Sequence, residues 1–278
     1  MPTDRPPPAF SGDIDPFDRS EHTPRLWDRP TDDGTFRRRI VVRVIDDGSA
    51  TGELEDDFHH FRVDLHHDRA TVLRIDGSGI RGPWTTCMDA GEPLRAIEGR
   101  ALSTHPTVLA GVDARSNCTH LFDLAGLVIT HAARGDRADR RYDIALTDAD
   151  RHRSAALWRD GAIALDWQLT DGEISAPADW VGAPLRTKFI PWACDRFAGD
   201  DDAAEAAIVL RRAIDISRGR EMDLDGMATA EPLLPMMDGI CYSMTAANAP
   251  VAIRSKGSAR DFSDHPALLL GDFDSRRS

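Results

Sequence analysis

The chain has 278 residues and a formal net charge of −13, with 34 Lys and Arg against 47 Asp and Glu. This length allows a substantial buried core, whereas the acidic balance disfavours a general nucleic-acid binder, which needs a basic face for phosphates. The four cysteines are widely separated without a CxxC pair, and no apolar run reaches the roughly 18 residues of a membrane helix. We therefore expect a cytoplasmic protein, with no membrane segment, whose partner is a small molecule. A homo-oligomer stays open.

The chain is predicted to begin with an arm and then to fold. Residues 1–33 are rich in Pro and Asp and poor in apolar residues, which predicts a disordered or extended arm. From Arg37 a β-branched segment alternates with polar residues and ends at the turn signal Asp46-Asp47-Gly48. Further strands are predicted over 58–65 and 71–76, and a weak short helix follows. Residues 37–134 thus form a first α+β half.

The second of these strands carries a histidine on its apolar side. Because side chains alternate between the two faces of a strand, His59 shares a face with Phe61, Val63 and Leu65. An inward histidine needs a hydrogen-bond partner or a metal, so His59 is either a site residue or a satisfied core residue. The opposite row is predicted to face solvent, and it contains His60, Arg62, Asp64 and His66.

A cysteine and a histidine, Cys118 and His120, stand where a loop becomes a helix. The helix is predicted from apolar residues at helical spacing, namely Leu121, Leu124, Ala125, Val128 and Ala132. The first turn of a helix presents unpaired N–H groups and a positive dipole end, which should make the thiol easier to ionise. Cys118 is then a thiolate nucleophile or a metal ligand with His120 beside it. The other interpretation is a small buried cysteine and a capping histidine.

Cys87 has a similar setting, because it also lies where a short helix is predicted to begin. Two thiols and two imidazoles could therefore converge, from His59, Cys87, Cys118 and His120. Such a set could bind one zinc or iron ion, or it could supply a Cys–His nucleophile pair. The catalytic candidates are His59, Cys118 and His120.

The run from about residue 37 to 133 resembles the bacterial family catalogued as a domain of unknown function, number 2889. The matching features are His59 at the opening of a strand, Pro83 followed by Cys87, Leu94 and Gly99 closing the next segment, and Cys118-Thr119-His120-Leu121 with Leu124 beyond. The resemblance implies no established activity.

The remainder of the chain is predicted to form a second α+β half over residues 141–273, which could also be continuous with the first half. A charged linker precedes it. Strands are predicted over 141–146, 154–158 and 162–169, with Asp160-Gly161 as a hairpin turn. A helix follows the acidic cap Asp200-Asp201-Asp202. The fold class is therefore α+β, with an antiparallel sheet on which helices pack.

Three cations near the end of the chain lie among Gly and Ser residues. Arg254, Lys256 and Arg260 could hold a carboxylate or phosphate in a flexible loop, or they could pair with nearby aspartates in solvent. Aromatic residues could line an adjoining pocket, namely Trp84, Phe189, Trp192 and Tyr242.

These features predict an enzyme that acts on a small carboxylated compound, with aromatic acids and their catabolism as one option. The reaction would be of the lyase or decarboxylase type, with His59, Cys118 and His120 moving protons. The sequence contains neither a Rossmann glycine fingerprint nor a Walker loop, so we expect no nicotinamide or ATP. The cofactor is none, or one zinc or iron. The alternatives are a metal-binding accessory or scaffold protein, and a fold in which these thiols and imidazoles are only core residues.

Overall fold

A computed structural model describes residues 34–148 and 151–273, so the predicted arm at 1–33 lies outside the described residues. Eight antiparallel strands form one sheet in the order β4-β3-β2-β1-β5-β6-β7-β8. The strands are β1 Thr35–Asp46, β2 Ser49–Asp56, β3 His60–His67, β4 Val72–Arg81, β5 Arg140–Thr147, β6 His152–Arg159, β7 Ala162–Thr170 and β8 Glu173–Ala176. Since β1 pairs with both β2 and β5, the two predicted halves contribute to the same sheet.

One helix lies between β4 and β5, and the others follow β8. They are α1 Thr119–Arg134, α2 Phe189–Arg196, α3 Asp201–Ser217 and α4 Leu234–Met237, with short 3₁₀ turns between them. Helix α1 lies over β1 to β4, and α3 lies over β5 to β7. The predicted α+β class with an antiparallel sheet is confirmed. Within the described residues, no helix combines the length and the apolar character that crossing a membrane requires.

The core between α1 and the sheet forms because apolar residues recur at helical spacing in α1 and at every second position in the strands. Alternate residues of β1, such as Phe36, Ile40 and Val42, point toward α1 and are buried. Helix α1 approaches β2 very closely at Gly52, where a Cβ atom would lie 2.6 Å from Cγ2 of Val128. A side chain at position 52 would therefore push α1 away from the sheet.

The opposite face of the sheet is partly covered by the end of the described chain. Leu270 and Phe273 pack on Val41 of β1, and the Leu270 N–H donates to Glu55 Oε2 at 2.7 Å. The prediction that His60 faces solvent is wrong, because its ring is buried with Nε2 3.0 Å from Glu53 Oε2. This face is thus partly covered by a segment more than 200 residues away in the sequence, which strand periodicity cannot reveal.

Two local predictions also need correction. Strand β2, which lies between β1 and β3, is absent from the sequence-based prediction. Its sequence Ser-Ala-Thr-Gly-Glu-Leu-Glu-Asp has few strand-forming residues. The weak helix after Cys87 consists of two 3₁₀ turns, Thr85–Met88 and Glu92–Ile97, because Gly91 and Pro93 interrupt it.

Candidate functional site

A tight turn between β2 and β3 holds the first two residues of the site. Asp56 ends β2, and its Oδ1 accepts hydrogen bonds from the backbone N–H groups of Phe58 and His59, both at 2.8 Å. The His59 ring nitrogen Nδ1 lies 3.0 Å from the same oxygen. Arg38 on β1 donates to Oδ2 from Nε at 2.9 Å and from Nη2 at 2.6 Å. The carboxylate is thus held on both sides, and it orients the His59 imidazole.

His120, in the first turn of α1, supplies a second imidazole. Its ring stacks on that of His59, with centroids 3.7 Å apart and an angle of 29° between the planes. Phe61 packs beside both rings, with centroid distances of 5.8 Å to His59 and 5.6 Å to His120. Only 12% of the His59 side chain and 7% of His120 are exposed. Within the described residues, the buried Nε2 of His120 has no hydrogen-bond partner.

Burial controls the protonation of both rings. Burial lowers the pKa of His59, against the opposing effect of Asp56, and it lowers the pKa of His120 well below its usual value. Burial alone would raise the pKa of Asp56, but His59 and Arg38 hold this pKa well below its usual value. Both rings are therefore neutral at pH 7. Since the His59 Nδ1 faces a carboxylate, the ring proton lies on Nδ1 and the lone pair on Nε2.

The structure brings together only part of the predicted Cys/His set. Asp56, His59 and His120 each offer one ligand atom, and these three atoms lie within 4.8 Å of one another. Among the described residues, these three side chains form the group that could hold a metal ion. Cys87 and Cys118 are not members of it. The third donor beside the two imidazoles is thus a carboxylate.

The expectation that Cys118 ionises easily is wrong. Burial raises the pKa of the Cys118 thiol well above its usual value, and the neighbouring Cys87 and Cys241 raise it further. Burial likewise raises the pKa of Cys241 to about 11. Cys118 does precede α1 as its cap residue, but its side chain makes no capping hydrogen bond. Removal from water therefore outweighs the helix terminus, and these thiols stay protonated.

The basic segment near the end of the chain does approach the site, although its cations bind the protein itself. The Arg260 N–H donates to the Asp57 carbonyl at 2.7 Å, and its Nη1 donates to the Gly257 carbonyl at 2.8 Å. Arg254 donates from Nη1 to the Pro83 carbonyl at 2.7 Å, and its Nη2 lies 2.9 Å from Asp225 Oδ1. Lys256 is exposed. These contacts tie chain segments together around the Asp56 turn.

The predicted aromatic residues lie in different places. Trp84 is buried, with the Arg254 guanidinium 6.0 Å from its ring centroid. Trp192 belongs to another cluster, where its ring centroid lies 5.8 Å from that of Trp180 and 5.4 Å from that of Phe189. Tyr242 is half-buried, and its N–H donates to the carbonyl of Asn117, next to Cys118.

Three residues of the site were not predicted, namely Arg38, Asp56 and Arg81. Arg81 donates to the Asp56 carbonyl at 2.6 Å and to the Asp57 carbonyl at 3.1 Å, so it holds the turn. A signal for Arg38 exists in the sequence, since it shares the inward face of β1 with Phe36 and Ile40 and a buried cation needs a partner. Asp56 stands three residues before His59, a spacing at which an aspartate accepts backbone N–H groups in a turn.

Next to the site, the Arg220 guanidinium faces three carboxylates. Its Nε and Nη2 lie 2.9 and 2.7 Å from Asp148 Oδ2, while Nη1 contacts Asp57 and lies 3.7 Å from Asp261. Asp57 is fully buried, and its Oδ1 has no hydrogen-bond partner within the described residues. Burial raises the pKa of Asp57 to about 8, although Arg220 opposes this. Asp57 is therefore largely protonated at neutral pH.

A cavity of about 350 Å³ lies between the sheet, α1, α3 and the segment 106–114. Its walls are mainly apolar and include Leu54, Leu124 and Val209. Arg38 lines the cavity and also binds Asp56, so it connects the cavity to the site. His120 lies one helical turn before Leu124 on the same face of α1. The cavity and the imidazole pair are thus linked through Arg38 and through the start of α1, although neither histidine lines the cavity.

No family model, no curated protein and no solved structure matches this chain. The resemblance to the domain of unknown function number 2889 therefore stays a prediction.

Proposed function

We propose that this chain is a small-molecule enzyme of the lyase type, which acts on a carboxylated compound, aromatic acids included, with His59 as the base. The observation that supports the proposal is the His59 Nδ1 contact with Asp56, which leaves the Nε2 lone pair for a substrate. A carboxylate behind an imidazole fixes its tautomer and stabilises the imidazolium that forms when the ring takes a proton. The Nε2 of His120 is available to a group on the bound compound.

The proposed step is an elimination started by proton abstraction. His59 Nε2 takes a proton from the carbon next to the substrate carboxylate, and the electrons of that C–H bond form a carbon–carbon double bond. A leaving group on the neighbouring carbon departs with the electron pair of its own bond. The lowered pKa of His59 favours this route over decarboxylation, in which an acid must finally protonate carbon. Cys118, with its protonated thiol, has no part in this step.

The proton abstraction can be measured without knowing the leaving group. In D₂O the proton on the carbon next to the carboxylate exchanges for deuterium, and proton NMR follows the loss of its signal. With a panel of aliphatic and aryl-substituted alkanoic acids, all of which carry hydrogen on that carbon, we expect exchange by the wild-type protein. We expect exchange to be about 10²- to 10⁴-fold slower in His59→Gln, because that variant lacks the base.

The matched control is His152→Gln, which removes an exposed histidine on β6. It should keep the wild-type exchange rate, and thermal unfolding should show that both variants are folded. Equal rates in the wild type and His59→Gln, or no exchange with any acid of the panel, would contradict the proposal.

A metal-binding accessory or scaffold protein is the second candidate, and the unpartnered Nε2 of His120 favours it. Leaving a buried polar atom without a partner costs about 1–3 kcal/mol, and a cation held with His59 and Asp56 would remove that cost. Elemental analysis of protein purified without chelator or affinity-tag metal tests this candidate. About one zinc or iron per chain, lost in His120→Ala and kept in Cys118→Ala, would support it. Metal-free protein would exclude a stable centre.

The location and assembly of the protein also remain proposals. We propose a cytoplasmic location, which is supported by four cysteines that form no disulfide bonds. The proposed partner is a small carboxylate. A homo-oligomer is compatible with this proposal and would be measured by light scattering.

A further inference from the structure

The cavity beside the site contains a glycine that packing does not explain. Gly126 lies in the middle of α1, where glycine destabilises a helix relative to alanine. At Gly52 an added Cβ would collide with Val128, so close packing requires that glycine. Among the described residues, and outside the backbone of α1, a Cβ at Gly126 would come within 4 Å of Leu109 Cδ1 alone, at the ordinary contact distance of 3.8 Å. Gly126 lines the cavity, and its missing side chain leaves space there.

The polar residues that line the cavity differ in exposure. Arg38 is only 2% exposed, whereas the side chains of Asp123 and Arg212 are 29% and 25% exposed. Asp123 and Arg212 pair with each other at 2.6 Å. The rest of the lining is mainly apolar, and the volume lies within the range of about 300–1,000 Å³ of small-molecule pockets.

Two buried charged residues line the cavity, Arg38 and Glu205. Glu205 accepts hydrogen bonds from the hydroxyls of Tyr142 and Thr130 and from Arg134, so its charge is already offset. Arg38 uses Nε and Nη2 for Asp56, which leaves Nη1 outside that pair. A buried guanidinium nitrogen in the wall of a mainly apolar cavity is a binding group for a carboxylate.

We propose that this cavity is the substrate site and that it selects a monocarboxylic acid with an apolar body, whose carboxylate binds Nη1 of Arg38. The inference rests on the proposed function, because Arg38 lines this cavity and also binds Asp56, the partner of His59. The apolar body lies along α1 past Gly126. A second carboxylate on the body would meet apolar walls and Glu205, which disfavours dicarboxylic acids.

Calorimetric titration with octanoate and 4-phenylbutyrate, and with their neutral amides, tests the inference. We expect saturable binding of at least one acid to the wild-type protein and at least tenfold weaker binding of its amide. Gly126→Leu should weaken binding of the acid at least tenfold because its side chain fills the cavity. Gly126→Ala should weaken binding less than Gly126→Leu does. It should also raise the thermal stability, which would show that a side chain at this position is compatible with folding.

His59→Gln separates this inference from the proposed function. It should keep acid binding while losing proton exchange. If acids bind as described but never exchange, the proposed function fails and the binding site stands. If exchange depends on His59 but is unchanged in Gly126→Leu, the substrate binds elsewhere and the inference fails. Equal affinity for acid and amide, equal affinity in Gly126→Leu, or no binding of either acid would overturn it.

Discussion

Replacing Arg38 by Met is expected to lower the free energy of unfolding by about 3–5 kcal/mol, because it leaves the buried Asp56 carboxylate without its cation. Both side chains are almost fully removed from water, and Arg38 makes two hydrogen bonds to one carboxylate oxygen. The remaining N–H groups of Phe58 and His59 cannot replace a positive charge. Chemical denaturation, followed by tryptophan fluorescence at pH 7, measures the change.

The matched control for Arg38→Met is Arg74→Met. Arg74 also pairs with an aspartate, Asp76 at 2.6 Å, but this pair is exposed on β4 and water screens it. The control should therefore leave the free energy of unfolding nearly unchanged. If Arg38→Met lowered the free energy of unfolding as little as Arg74→Met, the Arg38–Asp56 pair would not stabilise the turn that carries His59.

Asp57→Asn is expected to remove a large pH dependence of stability. The folded chain keeps the Asp57 proton until about pH 8, whereas an unfolded aspartate loses its proton near about pH 4. Between these values the folded state binds more protons, so this residue makes stability fall as the pH rises, by up to about 1.4 kcal/mol per pH unit. Above pH 8 its contribution levels off. Because asparagine cannot titrate, the stability of Asp57→Asn should change less with pH than that of the wild-type protein.

The measurement is best made between pH 6.5 and 8.5. Below this window the lowered pKa values of His59 and His120 act in the opposite direction, because acid stabilises the unfolded chain, in which these rings become charged. Asp264→Asn, which removes one exposed negative charge, is the control for net charge. An unchanged pH dependence in Asp57→Asn would show that Asp57 is ionised in the folded protein.

Much of the fold follows from periodicity in the sequence. The strands over β5, β6 and β7 and the helix after Cys118 all carry apolar residues at strand or helix spacing. Strand β2 does not, because its inward row consists of Ala50, Gly52, Leu54 and Asp56. Ala50 and Gly52 are small because α1 lies close to the strand, and Asp56 is polar because it pairs with Arg38. The strand is therefore specified by its neighbours, which no local pattern shows.

The site was partly accessible from the sequence. His59 and His120 could be singled out because each is a polar ring in an apolar row, and the structure stacks them. Their partner Asp56 was missed because it ends a strand that the sequence did not predict. The thiol of Cys118 was misjudged because the effect of a helix terminus is local, while its burial depends on the whole fold.

The protonation state of His59 tests the central claim most directly. Long-range ¹⁵N–¹H NMR correlation spectra of histidine-labelled protein distinguish the two neutral tautomers from the imidazolium, with His59→Gln providing the assignment. At pH 7 we expect a neutral His59 ring with its proton on Nδ1, facing Asp56, and an unprotonated Nε2. A ring with the proton on Nε2, or an imidazolium at pH 7, would contradict a role for His59 as the base.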